Sequence, residues 1–205
     1  MKPWPLALAL FAGGVAAGST MLPQPVQDAL TLIDSVPSQN QLDDAFCTLP
    51  TMCSDHQAAI NGLAAIATDT GATDASSRNA RLHAISALST YCVAPCADDE
   101  QAHQTLRSII AATTGEATGF DAVVLRAAIE AIGPQRVAGD LDLLISQLQN
   151  PSRDIRAAVA HSLRDLCNTQ AIVPLRQQQQ AETSDQVKQA ITEALRVLGQ
   201  GSPCQ

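Results

Sequence analysis

The chain has 205 residues, with 12 Lys and Arg against 20 Asp and Glu for a formal charge of −8, and it is 46% apolar but only 2% aromatic. So acidic a chain lacks the clustered cations that phosphate binding draws on, which excludes nucleic acid as the expected partner. Too few aromatic rings are present to build sugar platforms, aromatic cages or base-stacking surfaces.

Residues 1–18 open the chain as "MKPWPLALALFAGGVAAG", a single Lys followed by an apolar run that ends at small residues. Val15 and Ala17 stand where a signal peptidase expects small side chains, so the segment reads as a secretory signal. Gly13 and Gly14 interrupt the run, which falls short of the roughly 20 apolar residues a bilayer helix needs. No later stretch is longer and no Cys directly follows the run, so neither a membrane span nor a lipid anchor is expected. The expected location is therefore the periplasm or the medium. Lys2, Trp4 and Phe11 leave with the signal, which makes the mature chain more acidic still and leaves Phe46, Tyr91 and Phe120 as its aromatics. None of the asparagines begins an Asn-x-Ser/Thr acceptor with x other than Pro, which leans towards a bacterial envelope. The chain has six cysteines. An even number in an exported chain predicts disulfides rather than free thiols.

Residues 19–53 are expected to form a helical cap, with "PVQDALTLIDSV" as one amphipathic helix and "NQLDDAFC" as a short second one. From residue 54 to 199 the pattern becomes repetitive. Ile155, Ala158, Val159, Ser162, Leu163 and Leu166 recur at the spacing of one buried helical stripe. The stripe returns 32 residues later as Val187, Ala190, Ile191, Ala194, Leu195 and Leu198. Weaker copies lie upstream, at Leu125, Arg126, Ala128 and Ile129 and again at Ala84, Ile85, Ala87 and Leu88. Partner helices are predicted over 54–68, 99–113, 138–149 and 170–182, with a helix over 77–91 completing the first pair. Asn150 and Pro151 read as a cap with proline at the first helical position, and Gly133-Pro134 and Gly199 read as helix stops. No segment alternates at period two for long enough to be a strand. Helical repeats at this spacing stack as paired helices, giving an all-α fold, an α-α superhelix of about four or five antiparallel helix pairs.

The pattern Asp-x-(Ile/Val)-(Arg/Lys)-x-Ala-(Val/Ile)-x-x-(Ser/Ala)-Leu resembles the HEAT repeat of phycobilisome lyase-like proteins, most closely over residues 120–199. The resemblance implies a HEAT-like solenoid. It also implies that Asp154, Arg156, Asp185 and Lys188 form a structural ladder between neighbouring repeats, and that the second helices line a concave surface. On that surface His161 and Arg164 point away from the apolar stripe together with Ala157 and Ala160. The equivalent positions of the adjoining repeats include Ala127, Glu130 and Ala131 on one side, and Gln189, Thr192, Glu193 and Arg196 on the other. Glu130, His161, Arg164, Gln189, Glu193 and Arg196 are thus the candidate residues for binding a protein or peptide. HEAT-like hydroxylases are similar in fold but hold iron through His-Glu pairs, and no His-Glu dipeptide occurs here.

Other chemistry finds little support. His56, His83, His103 and His161 are spread one to a helix without a His-x-x-x-His spacing. His103 and His161 each have an aspartate four residues away, Asp99 and Asp165, and both read as helix-surface pairs. No Gly-rich phosphate loop or Gly-x-Ser-x-Gly elbow is present. No catalytic residue, cofactor or metal is therefore expected.

Cys167 ends one second helix and Cys204 follows the end of the next, in a tail of residues 200–205. Adjacent helices lie about 8 to 10 Å apart and five residues span roughly 17 Å, so these two are the expected pair. Their bridge would contribute roughly 4 kcal/mol by chain entropy. Cys47, Cys53, Cys92 and Cys96 gather at one end of the first helix pair, with their mutual pairing open. Two disulfides are expected there, and a zinc or redox centre is the alternative. "RQQQQAET" at 176–183 puts glutamines where the preceding repeat has Ile145 and Leu148, as a capping repeat with a polar outer face would. The sequence therefore predicts an exported, disulfide-stapled, monomeric scaffold without enzymatic activity. A metal- or redox-active protein, or an accessory subunit of an enzyme complex, stands as the alternative.

Overall fold

The computed structural model describes residues 53–89, 100–113 and 117–200, and every regular element among them is helical. The signal, most of the expected cap, the 200–205 tail beyond Gln200 and the side chains of Cys47, Cys53, Cys92, Cys96 and Cys204 lie outside the described residues. In chain order the helices are α1 (Cys53–Ala67), α2 (Ala75–Ala87), α3 (Glu100–Ala112), α4 (Gly119–Ile132), α5 (Leu141–Ser146), α6 (Arg153–Leu166), α7 (Ile172–Ala181) and α8 (Asp185–Gln200). Short 3-10 turns at Ala138–Asp140 and Gln147–Gln149 extend α5 at both ends, so this partner helix fills the predicted 138–149. Another turn, Thr169–Ala171, leads into α7. No helix among the described residues is long and apolar enough to cross a membrane.

Packing follows the repeat. Consecutive helices pair as α1 with α2, α3 with α4, α5 with α6 and α7 with α8, while the second helices α2, α4, α6 and α8 pack in a row. The stripes read from the sequence are the core of that row: Ile155, Val159 and Leu163 of α6 are sealed against Val187, Ile191 and Leu198 of α8 and Leu125, Ile129 and Ile132 of α4 in one continuous cluster. α2 adds Ala84 and Ile85 to it, and Leu88 at its C-cap joins them. A sealed aliphatic side chain contributes about 1.5 to 3 kcal/mol, so these stripes dominate the energetics of the array.

Three sequence expectations require correction. Asn150 and Pro151 do not cap α6, whose first residue is Arg153 with Ser152 at the N-cap. The Asn150 side chain instead accepts from the Ser152 amide at 3.0 Å and closes the turn ahead of the helix. Gly199 is not a stop, because α8 continues through it to Gln200. Ala157, Ala160 and Ala131 do not face outward but are 5%, 0% and 5% exposed. α6 is flanked by α4 on one side and α8 on the other as well as by α5, so a stripe wider than one face is buried and small residues let the helices approach.

The closest approach is at Gly133, where α4 gives way to a 3-10 turn. A Cβ there would stand 2.6 Å from the Ser162 carbonyl oxygen and 2.8 Å from its Cα, both backbone atoms of α6. Gly133→Ala should therefore destabilise the protein by about 1 to 3 kcal/mol. Gly139→Ala, whose Cβ would meet only the flexible Arg107 Nη1 at 3.9 Å, should melt close to the parent in thermal denaturation.

Candidate functional site

The second helices present a strip of charged and polar side chains on their exposed side. On α4, Arg126 Nε donates to Glu130 Oε1 at 2.8 Å, four residues on. On α6, Arg164 Nε donates to Asp165 Oδ1 at 2.8 Å, and His161 is exposed. On α8, Arg196 grips Glu193 through two bonds of 2.8 and 2.7 Å and reaches Gln200 Oε1 at 3.2 Å, while Gln189 is exposed one turn earlier. The helices share one electrostatic field here. Glu193 lies below the ordinary carboxylate range because Arg196 bonds it, with Arg164 and His161 of α6 adding to the effect. Arg164, Asp165 and Glu193 also line a common cleft of about 460 Å³ with Pro134, Arg136 and Val197.

Cys167 lies on the rim of the same cleft. It ends α6 in the left-handed region at φ 57°, with its amide bonded to the Arg164 carbonyl, and it is disulfide-bonded. Asp165 turns to Arg164, so the expected surface pair with His161 gives way to a shorter-range partner.

The predicted ladder residues separate in their contacts. Arg156 donates from Nε and Nη2 to the two oxygens of Glu182, both at 2.8 Å, and from Nη1 to the carbonyls of Asn150 and Pro151. Glu182, which the sequence pattern did not single out, is 6% exposed. It also accepts from the amides of Thr183 and Ser184 just ahead of α8 and from Gln178 Nε2. The Arg156 guanidinium above all, helped by these donors, pulls the Glu182 carboxyl down to about 2. Asp154 stands 3.9 Å from Arg153 and helps to hold the Arg126 guanidinium charged across the α4–α6 boundary. Asp185 opens α8 and is exposed, and Lys188 is half-buried one turn later; neither forms an ion pair among the described residues. An acid directly ahead of a helix start, where free amides gather, is the signal that marks Glu182.

A second buried junction lies one repeat earlier. Asp140 is fully buried, with Oδ1 2.5 Å from Arg107 Nη1 and 3.1 Å from His103 Nε2. His103 Nδ1 meets Gln135 Oε1 at 2.7 Å, and Gln135 Nε2 donates to the Leu88 carbonyl at 2.8 Å. His103 is thus an interior residue joining helix pairs, 7% exposed, and Asp99, its expected surface partner, lies outside the described residues. Burial pushes the Asp140 carboxyl up, opposed by His103 and Arg107, and its Oδ2 has no hydrogen-bond partner among the described residues. The glutamine run of α7 is also divided. Gln177 and Gln180 are exposed, while Gln178, 30 residues after the buried Leu148, turns inward to Gln149 at 2.6 Å and to Glu182. Among the described residues no group of His, Cys, Asp and Glu is gathered closely enough to hold a metal ion.

A family model described as HEAT repeats matches residues 114–196. That stretch covers α4 to most of α8 and contains both the strip and the Arg156–Glu182 junction, so the repeats within it match the HEAT-repeat model. No curated protein and no solved structure matched the chain.

The Glu182 junction has a pH signature. A carboxyl held at about 2 contributes stability that is fully present above its unfolded value and is lost as pH falls towards 2. Glu182→Gln should cost about 2 kcal/mol or more at neutral pH, since it leaves Arg156 without its counter-charge. In urea titrations the gap between parent and variant should close between about pH 5 and pH 2.

Proposed function

We propose that these HEAT repeats form a superhelical scaffold without catalytic activity of its own, which binds a protein or peptide partner along the concave side of the second-helix row. Glu130, His161, Arg164, Gln189, Glu193 and Arg196 form the contact strip. The observation that carries this reading is the shared field of α6 and α8, where Arg164, Asp165 and Glu193 meet in one open cleft. Exposed ion pairs contribute little to folding, so a partner's charges can replace the intramolecular ones at small cost. Complementary charges would then set register and association rate more than raw affinity. A partner segment bearing both signs fits the strip, because each of its helices offers a cation beside an anion.

The same reading makes the protein an exported monomer of the periplasm or the medium, as its amino-terminal segment and acidic surface suggest. The bridge from Cys167 is assigned to Cys204, clamping the last repeat, and Cys47, Cys53, Cys92 and Cys96 supply two further bridges. On this reading the disulfide sits beside the partner cleft, so reduction would loosen α8 and the strip together.

Two measurements test these assignments. A photo-crosslinking residue at Gln189 should capture a discrete partner in the native envelope fraction, and Arg164→Glu with Arg196→Glu should remove the adduct. Equal capture from Gln180, on the first-helix side, or indifference to the double charge reversal would refute the strip. Intact mass under denaturing conditions should rise by about 6 Da on reduction, as three bridges require. Release of zinc with a single bridge would instead establish a metal centre at the amino-terminal cysteines.

A further inference from the structure

A second cleft, away from the strip, opens between the first two described helix pairs. It measures about 420 Å³ and is lined by Arg81 of α2, by Thr68 just after α1, by Ser108, Ile109 and Thr113 at the end of α3, and by Asp121 in the first turn of α4. Its polar groups are unusual in what they leave unused. Arg81 is only 7% exposed, yet its one side-chain hydrogen bond among the described residues runs from Nε to the Ala67 carbonyl at 2.9 Å. No described carboxylate pairs with it. The Arg81 side chain lines the cleft. A guanidinium withdrawn from water without a counter-charge is a costly arrangement. Its free edge, formed by the two Nη nitrogens, matches one chemical group best, a carboxylate held by parallel bonds.

The opposite lining has the opposite preference. Thr68 Oγ1 donates to the Ala64 carbonyl at 2.8 Å, Thr113 Oγ1 to Ile109 at 2.8 Å and Ser108 Oγ to Thr105 at 2.7 Å. Each hydroxyl has spent its proton, so its oxygen can only accept. Asp121 is exposed and forms no ion pair among the described residues, Arg81 included. α1 and α3 both end here, at Ala67 and Ala112, and helix carboxy termini favour cations. The Arg78 guanidinium sits 5.1 Å over the Phe120 ring, which holds the start of α4, and so Asp121, against α2. Between the two poles Ile109, 5% exposed, supplies apolar surface.

We infer that this cleft binds a small amino-carboxylate, its carboxylate on Arg81 and its ammonium on Asp121 and the threonine oxygens. A simple anion would satisfy Arg81 but face a wall of acceptors, and a simple cation would leave the buried guanidinium uncompensated. The site shares only α4 with the partner strip, and none of its lining residues belongs to that strip.

Calorimetry on the full-length chain with glycine, β-alanine and 4-aminobutyrate, and with acetate and ethylammonium as half-ligands, tests the assignment. At least one zwitterion should saturate with one-to-one stoichiometry, and each half-ligand should bind at least about 10-fold more weakly. Asp121→Asn, at an exposed position, should weaken the zwitterion by about 10-fold with an unchanged melting temperature. Arg81→Lys, which keeps the charge and loses the fork, should weaken it as well. Failure of all three zwitterions to saturate up to about 10 mM overturns the inference. Acetate binding as tightly as the best zwitterion, or Asp121→Asn without effect, also overturns it.

Discussion

A helix hairpin with one apolar stripe per helix has nowhere to bury those stripes except against the next hairpin, and the rest of this structure depends on that constraint. α6 shows it most fully, packed between α4, α5 and α8 with Ile155, Val159 and Leu163 sealed. Stability in such an array is a sum of neighbouring interfaces. Small residues become structural for the same reason: Ala157, Ala160 and Gly133 are short because a helix stands against each of them.

The turns between stacked helices carry polar backbone that the stack would otherwise seal, and two consecutive junctions meet the problem alike. In each an arginine of one helix pair reaches a buried carboxylate of the next, Arg107 to Asp140 and Arg156 to Glu182. The second is the better compensated. Glu182 receives two guanidinium bonds, two backbone amides and a glutamine, whereas Asp140 keeps one oxygen without a partner among the described residues. Their carboxyls consequently shift in opposite directions, Glu182 down and Asp140 up.

Apolar periodicity made the helices legible in the sequence, because the stripes at 155–166 and 187–198 are spaced by the helix itself. Helix ends were less legible. Asn150-Pro151 and Gly199 have the composition of boundaries, but Arg153 starts α6 and α8 runs past Gly199, since packing overrides local preference. The junctions were half legible. The Arg156 position stands out by its repetition, while its partner Glu182 lies in a turn whose length differs between repeats, and Asp140 and His103 meet only through the stacking of α3 on the turn before α5. The width of the buried face could not be read from one helix alone, so Ala157 and Ala160 looked exposed until their neighbours were in place. Arg81 was invisible as a site, because nothing in its local sequence shows that its counter-charge is missing.

Warming affects the two kinds of contact differently. Apolar burial levels off in strength as temperature rises, while the desolvation cost of a buried ion pair falls. The seam between α6 and the last helix pair, which combines a sealed stripe with the Arg156–Glu182 clasp, therefore gains relative to a purely apolar seam when heated. The α1–α2 pair has no such reserve among the described residues, because its one buried cation, Arg81, receives only a carbonyl. Heat thus divides the described array into a carboxy-terminal half whose joint weakens less with temperature and an amino-terminal helix pair without a buried ion pair to offset the levelling of its apolar contacts.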